Sequence, residues 1–170
     1  MEDNKRFVIT GMGTLNAIAL SVGEFARNLL QGVCGIAPID LFDTTEFRTH
    51  RGGQIRQFNP RKHLPAEFSL KRLSRADGLA LAAAVEALSD AGLYPFPESF
   101  REDTGVVIGG GSGGLLEAED FYAELLAKGA ASARFSRLSA IYCASSADRI
   151  ASTFGFLGPK TTFMTACSAG

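Results

Sequence analysis

Long apolar runs are missing from this chain. Nothing in it approaches the roughly 18–20 consecutive apolar residues that a helix needs to cross a bilayer, so no membrane span is expected. The opening residues, Met1 to Arg6, lead into only a short apolar run and lack the form of a secretory signal. Cysteine is scarce: Cys34, Cys143 and Cys167 are scattered and odd in number, which argues against a disulfide framework and fits a reducing cytoplasm. His50 and His63 are the two histidines, and with the cysteines they form no metal-ligand spacing. Tryptophan is absent, internal repeats and low-complexity tracts are absent, and neither sign of charge dominates, with 17 Lys+Arg against 18 Asp+Glu. That balance is far from a nucleic-acid binder, and no nucleic-acid partner is expected. What remains is an ordinary globular composition: 170 residues, 46% apolar and 21% charged, a size that suits one domain.

The even charge balance conceals an asymmetry. Eight basic residues fall between Arg48 and Arg75, with Glu67 as the one acid among them, while Glu117, Glu119, Asp120 and Glu124 group together further on. A basic patch attracts an anionic partner; ordinary solvated surface charges explain the same run.

The pattern of apolar residues and breakers predicts strands alternating with helices, hence an α/β fold. A buried strand is expected over Arg6–Thr10, stopped by Gly11-Met12-Gly13. Ser21-Val22-Gly23-Glu24 has the form of a capping box opening a helix that ends at Gly32. Residues 33–68 read as irregular, with a short exposed strand between Arg51 and Phe58. A helix is expected from Ser69 to Ala91; its Leu79–Leu88 stretch is apolar nearly all round, as in a helix surrounded by protein. A second buried strand, Thr104–Ile108, runs into Gly109–Gly114. An amphipathic helix then presents Leu115, Ala118, Tyr122, Leu125 and Leu126 on one face. A further helix spans Leu138–Phe154, and a third strand, Thr161–Thr165, leads to Cys167.

Cys167 follows a buried strand and is itself followed by small residues. A nucleophile at such a turn is presented outward with backbone N–H groups free beside it, and small neighbours let the chain turn sharply. A lone cysteine among apolar residues is also common as inert filling, the reading given to Cys34 and Cys143. The glycine loop 109–114 reads as tight packing. A phosphate cradle is disfavoured, because the spacing is not that of a Walker motif and no Lys-Ser/Thr follows.

Thr165-Ala166-Cys167-Ser168-Ala169-Gly170 resembles the active-site motif of the elongating β-ketoacyl-[acyl carrier protein] synthases and the related ketosynthases of polyketide pathways. Val8–Gly13, Phe25–Ile36, Phe42-Asp43-Thr44, Leu79–Leu93, Gly105–Gly109, Gly113-Gly114, Phe154-Gly155 and Gly158-Pro159 carry the resemblance, in order, through almost the whole chain. It implies a thiolase-like fold, layered α-β-α with a mixed sheet, of which residues 1–170 are the N-terminal domain, broken off just after the nucleophile. It implies that Cys167 accepts an acyl group as a thioester and that its backbone N–H is half of an oxyanion hole. A carbanion from decarboxylated malonyl-carrier protein then attacks the acyl group, in fatty acid or polyketide synthesis. The partner implied is an acyl carrier protein, whose phosphopantetheine carries the substrates, so no resident cofactor is expected. A homodimer or a heterodimer with another ketosynthase chain is implied too.

Lys71 and Arg72 lie where the family has basic residues that meet acidic carrier proteins; helix-surface charges paired with Glu67 or Asp77 explain them as well. Ser112 stands where the fatty-acid enzymes carry a larger apolar residue near the acyl pocket, and Asn16-Ala17-Ile18-Ala19 replaces the family's usual segment after Gly13. The family's two histidines and lysine come from a second half, and His50 and His63 match neither histidine. The isolated chain is therefore expected to be inactive. The alternative is a non-catalytic half, truncated or made for interaction, that needs a second chain. Three residues after Cys167 are too few to close a helical turn.

Overall fold

The computed structural model describes residues 6–111 and 113–169. The chain divides into two compact units. One takes the residues up to Gln57 with Ala83–Pro95; the other takes Phe58–Ala82 with the residues from Phe96 onward.

In the first unit, α1 (Val22–Leu30) begins as its capping signal dictates: the Ser21 hydroxyl accepts from the Glu24 N–H at 3.2 Å. The Glu24 carboxylate reaches back one residue further than a standard box, to the N–H of Leu20 at 2.7 Å. Strands β1 (Ile36–Pro38) and β2 (Arg51–Gly53) pair antiparallel, Ala37 opposite Gly52. The expected exposed strand is thus present but short, and its partner lies in a stretch that reads as irregular.

The strand expected over Arg6–Thr10 does not form. A strand exists through a ladder, and among the described residues this segment has no strand partner; Phe7 is 95% exposed. The chain beyond it lies along the helix from Ala83 to Asp90 instead. A Cβ on Gly11 would stand 2.1 Å from the Ala87 carbonyl oxygen, and one on Gly13 2.0 Å from that of Ala83. Only glycine tolerates so close an approach. Two carboxylates hold the loop there. Asp90 accepts from the N–H of Met12 at 2.9 Å, and Glu86 accepts from those of Thr14 at 2.9 Å and Val22 at 2.7 Å.

The second unit contains α2 (Pro60–His63), the first half of α3 (Arg75–Asp90), β3 (Val106–Gly109), α4 (Leu115–Lys128), α5 (Ser145–Phe154) and β4 (Lys160–Phe163). Strands β3 and β4 pair in parallel, Val107 opposite Thr161. Their connection runs through α4 and α5, and α5 packs on both strands, the βαβ logic that parallel pairing demands. The core gathers Leu81, Val106, Phe121, Ile150 and Phe154. Phe154 stacks on Phe156 at 5.3 Å and meets Phe68 edge-on at 5.6 Å.

Four expectations need correction here. The helix expected from Ser69 starts at Arg75. Arg72 has φ +57°, which no helix accommodates, and Ser74 opens α3 by accepting from the Asp77 N–H at 3.0 Å. Most of the Leu79–Leu88 stretch is half-buried rather than enclosed. The helix expected over Leu138–Phe154 is a 3₁₀ turn (Phe135–Ala140) followed by α5, broken at residues 141–144. On α4 the buried side is Ala118 and Phe121, whereas Tyr122 and Leu126 are 53% and 86% exposed.

Candidate functional site

Strand β4 ends at Phe163, and the chain turns at once. Ala166 adopts φ +50°, a strained conformation for a residue with a side chain. A single 3₁₀ turn, Ala166–Ser168, follows. It closes because its bonds begin before Cys167: the Ser168 N–H donates to the Thr165 carbonyl at 3.2 Å and the Ala169 N–H to that of Ala166 at 3.1 Å. The expectation of no turn here counted only residues beyond Cys167, and i→i+3 bonding needs fewer. The Ser168 hydroxyl adds a bond to the Thr165 carbonyl at 3.0 Å.

Cys167 sits inside this turn with its thiol exposed. Among the described residues nothing accepts from its backbone N–H. An exposed sulfur and an unused N–H on one residue are the two parts that thioester exchange needs: a nucleophile, and a donor for the oxyanion that develops. The sharp turn was readable from the small residues around Cys167. Its location at Ala166 was not.

The other singled-out residues spread over both units. Cys143 is half-buried and Cys34 exposed. His50 lies 3.3 Å from the Thr44 hydroxyl, and His63 folds back on the carbonyl of Asn59 at 2.8 Å with its ring against Phe58. No hydrogen bond or ion pair joins either histidine to Cys167 among the described residues. Nor do any three His, Cys, Asp or Glu there stand together as a metal site. Ser112 lies outside the described residues. Its neighbours support the packing reading of the glycine loop: a Cβ on Gly114 would meet that of Ala140 at 2.7 Å, and the Gly114 N–H donates to the Ala140 carbonyl at 2.7 Å.

Lys71 and Arg72 are both exposed. Pairing with Asp77 does not occur, because Asp77 is only 1% exposed and faces α5, accepting from the hydroxyls of Ser145 at 3.0 Å and Ser146 at 2.9 Å. The basic run as a whole is not one face. Arg51 donates to the Ile36 carbonyl at 3.1 Å and Arg56 pairs with Asp40, so both serve the β1–β2 region. A different set of cations converges instead. Arg149 donates to the Arg72 carbonyl at 3.1 Å, and Lys160 pairs with Asp148. The hydrophilic Ser145-Ser146-Ala147-Asp148-Arg149 is the sequence signal for this, and it opens α5 inside the stretch whose pattern predicts one long helix.

Residues 4–170 match the family described as "Beta-ketoacyl synthase, N-terminal domain". The chain belongs to that family. It is 33% identical to 3-oxoacyl-[acyl-carrier-protein] synthase 2 of Staphylococcus aureus strain COL, over 100% of this chain and 41% of the relative. Among solved structures, the ishigamide ketosynthase/chain length factor superposes with a TM-score of 0.84 at 28% identity, over 96% of this chain and 40% of the other. The type II polyketide synthase complex AntDE:AntF, an acyl-carrier protein with its ketosynthase, superposes at 0.64 and 19% identity, covering 93% and 41%; this likeness concerns the fold alone. The α/β fold is accordingly the thiolase-like one of the ketosynthases, in its N-terminal part. The chain spans about 41% of the length of this curated relative. No helix among the described residues is long and apolar enough to cross a membrane.

Proposed function

We propose that this chain supplies the acyl-accepting nucleophile of a β-ketoacyl-[acyl carrier protein] synthase, working in fatty acid or polyketide synthesis. The Cys167 sulfur attacks the carbonyl carbon of an acyl thioester on the phosphopantetheine arm of an acyl carrier protein. The carbonyl electron pair moves onto oxygen, where the free Cys167 N–H donates to it. Collapse expels the carrier thiol and leaves the acyl group on Cys167. Malonyl-carrier protein then loses carbon dioxide, its carbanion attacks the acyl-cysteine carbon, and the sulfur departs as the new carbon–carbon bond forms. Splitting the transfer through a thioester divides one hard step into two. No resident cofactor takes part in this scheme.

The observation that carries the reading is the exposed Cys167 at a strained turn directly after β4, within a chain that matches the family from residue 4 to 170. Lys71 and Arg72 receive the acidic carrier protein, and Ser112 borders the acyl group. The scattered, odd-numbered cysteines suit a reducing cytoplasm, and the working assembly is a dimer with itself or another ketosynthase chain.

The test uses the intact protein that carries this chain. Incubated with acyl-carrier protein and digested, it should show the acyl mass on the Cys167 peptide and on neither Cys34 nor Cys143. Cys167→Ala should abolish both the adduct and ketoacyl product. An unmodified Cys167 with product still formed would overturn the assignment.

A further inference from the structure

A cavity of about 370 Å³ opens in the second unit beside α5. Four of its lining residues are charged, Arg72, Asp148, Arg149 and Lys160, and the others are serines. No lining residue is apolar, whereas pockets for most organic ligands are largely hydrophobic. The charge there is unbalanced, since the single carboxylate, Asp148, is already taken by Lys160. The Arg72 side chain has no ion pair among the described residues. Arg149 uses one N–H on the Arg72 carbonyl, and among the described residues the rest of its guanidinium has no hydrogen bond or ion pair.

One feature at this place costs energy. Arg72 holds a left-handed backbone, φ +57°, that turns its carbonyl to meet Arg149. Strain of this kind persists where the surroundings enforce it.

We propose that this cavity binds a phosphate-type oxyanion, gripped by the Arg149 and Arg72 guanidinium forks with Lys160 as a point charge. Guanidinium forks match phosphate oxygens in pairs, and a compact tetrahedral dianion accepts from several directions at once. A cavity lined by charged residues and serines suits such an ion better than it suits a row of carboxylates on a protein surface. The site does not involve Cys167 and shares with the proposed carrier-protein face only Arg72. Its ligand is either an inorganic phosphate or the phosphate monoester of a nucleotide-bearing thioester.

The experiment is calorimetric titration of the intact protein with pyrophosphate at constant ionic strength, and with coenzyme A beside its 3′-dephospho form. Saturable pyrophosphate binding is expected, weakened about tenfold or more by Arg149→Gln through loss of charge-assisted hydrogen bonds. Lys160→Gln should weaken it as well, which keeps the test open if Arg149→Gln folds poorly. Arg61→Gln, outside the cavity, should leave it unchanged. Tighter binding of coenzyme A than of the dephospho form supports the monoester as ligand. Equal binding of those two, with pyrophosphate still bound, supports the inorganic ion. Pyrophosphate binding that is absent, or the same in both cavity variants as in the parent, overturns the site. So does loss of carrier-protein binding in Arg149→Gln without any pyrophosphate binding, which would make this a face for acidic side chains.

Discussion

Asp77 is an acidic residue held in the interior, only 1% exposed. It is buried because two hydroxyls from the first turn of α5 reach it, Ser145 and Ser146, and its position near that helix N-terminus suits a negative charge. Removing both donors strands a carboxylate in the interior, a worse outcome than removing the carboxylate itself. Asp77→Ala should therefore cost about 1–3 kcal/mol of stability, and the Ser145→Ala, Ser146→Ala double variant about 3 kcal/mol. Urea unfolding of both proteins checks the order; a double variant as stable as the parent would show that water reaches Asp77. A second acid behaves differently because it is exposed. Asp43 titrates below the usual carboxylate range, chiefly because the Thr45 hydroxyl donates to it at 2.6 Å and secondarily because the Thr45 N–H does at 2.9 Å, with slight burial opposing. A depressed folded value means that this contribution to stability is present above the unfolded carboxylate pKa and is lost as pH falls through the folded one. Thr45→Ala should move the Asp43 midpoint up toward the ordinary value in a carbon-detected NMR titration. An unmoved midpoint would reassign the cause.

Among the elements, α3 has the most consequences, and its two halves work in different ways. Its first half is anchored by the buried Asp77, Gly78, Leu81 and Ala82. Its second half binds the loop from Gly11 to Thr14 through Glu86 and Asp90 and through contacts that leave no room for a Cβ. Gly13→Ala places a methyl group 2.0 Å from the Ala83 carbonyl oxygen. Backbone, not a flexible side chain, must then give way, and a loss of about 1–3 kcal/mol or more is expected. Thermal and urea unfolding measure it. A variant of parental stability would mean that the loop is free to lift away from α3. The break before α3 has a local cause that no propensity scale weighs, namely Arg72 in a left-handed conformation held by a contact 77 residues away in sequence.

On the scale of the molecule, charge is distributed by use. The arginines of the β1–β2 region are consumed internally, while Lys71 and Arg72 stay exposed. If those two receive an acidic carrier protein, binding rests on screened surface charges. Affinity should then fall steeply as salt rises and the Debye length shrinks below about 8–10 Å. Reversing both to Glu in the intact protein should weaken carrier binding further while the Cys167 thiol stays accessible to alkylation. Fluorescence anisotropy with labelled carrier protein measures this. Affinity insensitive to both salt and charge reversal would return the pair to ordinary surface charge.

Sequence by itself determined the family and the turn of small residues around Cys167. It determined the Ser21 cap and the alternation of strand and helix that makes a parallel β3–β4 pair natural. These are local properties, written in the identity and spacing of neighbouring residues. The tertiary structure decided the rest. Phe7–Ile9 has a strand's composition but among the described residues finds no partner, and pairing is never local. The buried side of α4 turned on which neighbour reached it, so Phe121 went in and Tyr122 stayed out. Ser145 and Ser146 bury Asp77 from 68 and 69 residues away, and Arg149 and Lys160 join Arg72 only once α5 and β4 are folded. Long-range contacts of this kind follow from packing, which selects among several faces that the linear pattern leaves equally plausible.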